Sequence, residues 1–89
     1  MTATAAIRQI ARQITRKNEL PWLCLWTNKR KEGRTVKVWW PRPNGAKEAL
    51  AELTEQVNAM GLQGVEIRPA SRATALIVFI PYSEEHNPK

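Results

Sequence analysis

Apolar residues recur near the start of the chain at helical spacing. Ile7, Ile10 and Ile14 stand at i, i+3 and i+7, with Ala3, Ala6 and Ala11 beside them, the stripe expected of a 3.6-residue period. Arg8, Arg12 and Arg16 recur every fourth residue on the opposite side. Segment 4–17 is therefore predicted to be an amphipathic helix. Thr2 or Thr4 can cap its start, and Asn18 can end it in a left-handed turn. Arg16 and Lys17 suit the negative end of its dipole.

The period then changes. Segment 21–27 is rich in Trp and Leu, and segment 34–40 alternates Val36, Val38 and Trp40 against Thr35, Lys37 and Trp39. Both read as strands, joined by a polar hairpin loop from Asn28 to Gly33. Pro41-Arg42-Pro43-Asn44-Gly45 breaks the pattern, because two prolines cannot join a strand ladder. Helical spacing returns over 46–60, where Ala46, Ala49, Leu50, Leu53, Val57 and Met60 form a wide stripe opposite Glu48, Glu52 and Glu55. Gly61 is a natural stop. Segment 65–68 reads as a short strand, Pro69-Ala70-Ser71-Arg72 as a turn, and 73–80 as a central strand apolar on both faces. Residues 82–89 are polar and read as a loose tail.

The order helix-strand-strand occurs twice. Ile7, Ile10 and Ile14 correspond in outline to Leu50, Leu53 and Val57, and Trp40-Pro41 to Ile80-Pro81. The small number of possible orders accounts for this more readily than a degenerate duplication does. The expected fold is α+β in two layers, αββαββ, with a four-stranded, mainly antiparallel sheet and two helices on one face. It forms a single domain over 1–81, followed by the tail 82–89.

Length agrees with this. A chain of 89 residues with 43% hydrophobic content makes one domain that can build a core without disulfides or metals. No apolar run reaches the roughly 18 residues of a membrane span. Arg8, Arg12 and Arg16 interrupt the place where a secretion signal would have its apolar core. Cys24 is the single cysteine. Flanked by Leu23, Leu25 and Trp26, it reads as a buried, reduced thiol in a cytoplasmic protein.

Charge changes the picture more. Residues 1–47 carry eleven Lys or Arg against Glu19 and Glu32, a balance of +9. Residues 48–89 carry three against six glutamates, a balance of −3, and the whole chain is +6. Such asymmetry points a basic surface at a polyanion.

Catalytic chemistry finds little to work with. The chain has no aspartate, and its single histidine, His86, falls in the tail. Cys24 and His86 cannot complete a zinc site. A Ser-His-Asp arrangement lacks its acid, and no glycine pattern cradles a phosphate. Pro43-Asn44-Gly45 could hold a phosphate at the start of the second helix, or simply cap it. The expectation is a protein that is not an enzyme, with no cofactor, no metal and no small-molecule substrate.

Three features could carry function. The stripe Arg8, Arg12, Arg16 with Lys17 extends about 12 Å along its helix, enough for two or three phosphates or simply a solvated face. The hairpin loop offers Lys29, Arg30 and Lys31, with Arg34 just beyond. Trp22, Trp26, Trp39 and Trp40 all lie in the first hairpin. Alternation puts Trp40 with the valines and Trp39 with Lys37, where it could stack a base, pack across the hairpin or enter an interface. The leading expectation is binding of DNA or RNA through Arg8, Arg12, Arg16, Lys17, Lys29, Arg30, Lys31, Arg34, Lys37 and Trp39. The alternative is an adaptor or inhibitor of a partner protein, including a homodimer built sheet to sheet. No membrane partner is expected, because the first helix presents Ile and Ala without Trp or Phe.

Overall fold

The computed structural model describes residues 2–20, 22–41, 45–69 and 75–85. Helix α1 (Ala3–Lys17) is followed by strands β1 (Cys24–Lys29) and β2 (Gly33–Trp39), helix α2 (Ala46–Ala59), strands β3 (Glu66–Pro69) and β4 (Ala75–Pro81), and a short helix α3 (Tyr82–Glu85). The strands form one antiparallel sheet in the order β1-β2-β4-β3. The fold is α+β, as the two αββ patterns predicted, with α3 added. Strands β2 and β4 take the middle and β1 and β3 the edges, so the two units meet through their second strands.

Alternation sorts every strand residue to one of two faces. Val36 and Val38 of β2 and Leu76, Val78 and Ile80 of β4 point inward, under Ile7, Ala11 and Ile14 of α1 and Ala49, Leu53 and Val57 of α2. Trp40 continues this inward set and is buried. Its indole N–H donates to Thr15 Oγ1 at 3.0 Å, and that hydroxyl donates to Ala11 O at 2.7 Å. The end of β2 is thereby tied to the last turn of α1, and the buried indole has the partner it needs.

Helix α1 starts at Thr2, whose hydroxyl accepts from the Ala5 N–H at 3.1 Å. Its C-terminus departs from the expectation. Asn18 keeps a negative φ (−96°, with ψ 5°), outside the left-handed region, and its Nδ2 donates to Ile14 O at 2.9 Å. Glu19 takes the left-handed turn instead, with φ 52°. Leu20 N–H then bonds Thr15 O and Glu19 N–H bonds Arg16 O, which is a Schellman closure that leaves Leu20 buried. Helix α2 ends as the sequence suggested, with Gly61 left-handed at φ 69°.

The first hairpin is tighter than predicted. Its strands run to Lys29 and from Gly33, and Arg30 N–H donates to Gly33 O at 2.7 Å. A Cβ on Gly33 would fall onto Ile80 O and lie 2.8 Å from Phe79 Cζ. Glycine is required here by the close approach of β4.

Two further expectations need correction. The tail does not begin at residue 82, because Tyr82–Glu85 form α3 and Glu85 is fully buried. Its polar composition concealed tertiary partners. Tyr82 Oη donates to Arg30 O at 2.8 Å, and the Gln63 N–H donates to Glu84 Oε1 at 2.7 Å. Cys24 is exposed rather than buried. Its apolar neighbours Leu23 and Leu25 are partly buried against the core, and alternation sends Cys24 and Trp26 the other way. Parts of the expected break at 41–45 and turn at 69–72, together with His86 and the rest of the tail, lie outside the described residues.

Candidate functional site

Both long helices pack on the inner face, and among the described residues no helix covers the outer face of the sheet. Strand register sets its residues in rows. Cys24, Trp39 and Ala75 form one. Trp26, Lys37, Ile77 and Arg68 form the next, and Asn28, Thr35, Phe79 and Glu66 the third. Neighbouring strands lie about 4.8 Å apart, so a full row spans about 14 Å, and successive rows are about 7 Å apart.

Aromatic rings and cations interleave on this grid. Trp26 is 62% exposed, partly because β1 is an edge strand of the sheet. Trp39 is half-buried on the same face, as its alternation with Val38 predicted. Lys37 lies directly across from Trp26, and its Nζ is 5.9 Å from the centroid of the Trp39 ring. At that distance the ring quadrupole attracts the ammonium. Cys24, Trp26, Lys37 and Trp39 line a shallow cleft of about 300 Å³.

A second cleft of about 370 Å³ adjoins it, lined by Arg30, Thr35, Glu66, Arg68, Ile77 and Phe79. Its floor is Phe79 and Ile77. Arg30 reaches it from the hairpin turn, and Glu66 and Arg68 rise on the far edge as an ion pair 2.8 Å apart. Both partners of this pair are more than half exposed, so it adds little stability.

The structure distributes the sequence-derived candidates over three regions. Lys37, Trp39 and Arg30 belong to the open face. Lys29 and Lys31 are exposed at the hairpin end. Arg12 and Arg16 are exposed on the outward side of α1, beside Gln9 and Gln13, across the molecule from Trp39. Arg8, on the same helix, is half-buried, and its Nε is enclosed without a hydrogen-bond partner. Two candidates are engaged within the fold. Lys17 Nζ pairs with Glu52 Oε2 of α2 at 3.1 Å, and Arg34 Nη1 lies 3.6 Å from the buried Glu85 Oε1. The α1 stripe and the Trp-bearing sheet therefore do not form one continuous site.

Sequence reasoning named Trp26 only among the four hairpin tryptophans, and it missed Phe79, Ile77 and Arg68. The signal for Trp26 was present: with Leu23 and Leu25 inward, Cys24 and Trp26 must face out. Phe79 and Ile77 alternate with Val78 and Ile80 in a run apolar on both faces, which hides the side left open. Among the described residues no group of three or more His, Cys, Asp or Glu could hold a metal ion. No helix among them is long and apolar enough to cross a membrane. Comparison with protein-family models, curated proteins and solved structures finds no match to this chain.

Proposed function

We propose that the protein binds single-stranded nucleic acid across the open face of its sheet, without catalysis. The observation that carries this reading is the placement of Trp26 and Trp39 around Lys37 on a surface the helices leave uncovered. Indole faces stack bases of any sequence, and cations between them meet the phosphates. Arg30 supplies further positive charge on the same face, and the net charge of +6 favours a polyanionic partner. Row spacing of about 7 Å is close to the phosphate repeat of an extended strand. A flat sheet carrying exposed rings suits splayed single-stranded bases better than the stacked interior of a duplex. The exposed thiol of Cys24 fits a reducing, cytoplasmic setting.

Titration of intrinsic tryptophan fluorescence with oligothymidylate tests the reading. We expect quenching, tighter binding to single strands than to duplex, and a log–log salt slope of about −2 if roughly three phosphates are neutralised. Absence of quenching at low salt and micromolar protein would overturn it. An adaptor or sheet-to-sheet homodimer draws on the same exposure of Trp26 beside Ile77 and Phe79. Concentration-dependent sedimentation abolished by Trp26→Ala, without any nucleic-acid binding, would identify that alternative.

A further inference from the structure

We infer that the second cleft of the open face selects guanine, with Glu66 as the specificity-determining residue. This rests on the single-strand reading above and goes beyond it, since stacking and charge alone do not discriminate among bases.

The argument begins with a carboxylate that general strand binding does not explain. Glu66 faces the same side as Lys37 and lines the cleft floored by Phe79 and Ile77. Against a phosphate its charge is repulsive. Against a base edge it is useful, because an ionised carboxylate only accepts hydrogen bonds and has two oxygens to do so. A base lying on Phe79 would meet that carboxylate edge-on, since Glu66 is the cross-strand partner of Phe79.

Base chemistry then narrows the choice. Guanine presents two adjacent donors, N1–H and the N2 amino group, which match the two carboxylate oxygens. Adenine and cytosine each place a ring-nitrogen acceptor beside their single amino group. Thymine and uracil flank one N–H with two carbonyls. Each of those acceptors would confront a carboxylate lone pair.

Arg68 strengthens the match. Its Nη2 lies 2.8 Å from Glu66 Oε1, so guanidinium and carboxylate stand side by side on the rim of the cleft. Guanine O6 and N7 are the acceptors that a guanidinium donates to best. Because Glu66 and Arg68 are 55% and 71% exposed, each keeps free hydrogen-bonding capacity toward solvent, and redirecting them toward a base costs little. Arg30, on the opposite rim, is left for the phosphate.

The test compares short oligothymidylates carrying one central guanine, hypoxanthine or adenine, bound to the intact protein and to Glu66→Gln. Hypoxanthine lacks only the N2 amino group. In the unaltered protein guanine should bind about tenfold more tightly than either replacement, within the range of a good bidentate base contact. In Glu66→Gln the ratio of guanine to hypoxanthine affinity should fall to near one. That ratio is taken within one protein, so changes in folded fraction or general affinity cancel. Equal affinities in the unaltered protein, with oligothymidylate binding intact, would overturn guanine selection and leave the single-strand reading standing. A preference that persists unchanged in Glu66→Gln would overturn the role of Glu66. Failure to bind any of the oligonucleotides would overturn both readings.

Discussion

Glu85 caps helix α1 through Thr4: its Oε2 accepts from Thr4 Oγ1 at 2.8 Å and its Oε1 from the Thr4 N–H at 3.2 Å. The carboxylate is completely buried, and Arg34 approaches it from β2. A helix N-terminus favours a negative charge, and the guanidinium supplies a counter-charge. Glu85 thus fastens the end of the described chain to its beginning. Glu85→Ala should destabilise the fold by about 2–3 kcal/mol, because it leaves the buried Thr4 without its acceptor and the partly buried Arg34 without its counter-charge. Urea denaturation measures this. An unchanged midpoint would mean that α3 does not dock in solution.

The left-handed Glu19 makes a prediction of opposite sign. A non-glycine residue at φ 52° carries a steric cost that glycine avoids. Glu19→Gly should raise stability by about 0.5–1 kcal/mol, a gain partly offset by the greater freedom of glycine in the unfolded chain. Asn18→Gly should not, since Asn18 already has a negative φ and its side chain donates to Ile14 O. Paired melting curves of the two variants decide whether the turn lies at residue 19 or at residue 18.

These two sites show where sequence reasoning succeeds and where it stops. The helices and the central strands were legible because Ile7-Ile10-Ile14 and Val36-Val38-Trp40 repeat with the period of their element. Period two also placed Trp39 outward and Trp40 inward. Helix α3 was not legible, because Tyr82-Ser83-Glu84-Glu85 is too short to show a period and is held by partners such as Thr4, distant in sequence. Cys24 is exposed although its sequence neighbours are apolar, because in a strand the neighbours face the other way. The basic residues could be recognised by type but not by surroundings. Nothing in the sequence pairs Lys17 with Glu52 or Arg34 with Glu85; only the packing of α1 on α2 and of α3 against β2 does.

The hairpin end offers a test of charge without fold. Lys29, Arg30 and Lys31 are exposed, and the bond that Tyr82 makes there goes to the backbone oxygen of Arg30, which alanine keeps. Replacing all three by alanine should therefore cost no more than about 0.5 kcal/mol of stability each. On the proposed function, the salt slope for oligothymidylate should become shallower by about 0.7 for each phosphate that is no longer neutralised. Only Arg30 of the three lines the open face, so the slope should change by the amount of a single phosphate. Anisotropy titrations at several salt concentrations provide the slope. A change three times as large would move the binding path toward the hairpin tip.

Adjacent tryptophans give the sharpest contrast. Trp39 and Trp40 are neighbours in sequence, yet the end of β2 sends them to opposite sides of the sheet. Trp40 is 1% exposed and bonded to Thr15, so Trp40→Ala removes a large buried ring and the N–H that Thr15 Oγ1 accepts. It should cost about 3–5 kcal/mol of stability, enough to unfold much of a marginal domain. Trp39→Ala opens no comparable cavity, because its ring lies on the open face against Lys37, and its effect on stability should stay near 1 kcal/mol. Its effect on binding should be larger: about 1–3 kcal/mol weaker for single strands if a base stacks there. Trp26→Ala should behave like Trp39→Ala, with a smaller stability cost because Trp26 is the more exposed ring. Denaturation curves and fluorescence titrations on the three variants measure both quantities, the binding of each variant being read from the tryptophans that remain. Should Trp39→Ala unfold the protein while Trp40→Ala does not, β2 would carry a one-residue slip near its end, and the open face would have to be built around Trp40 instead.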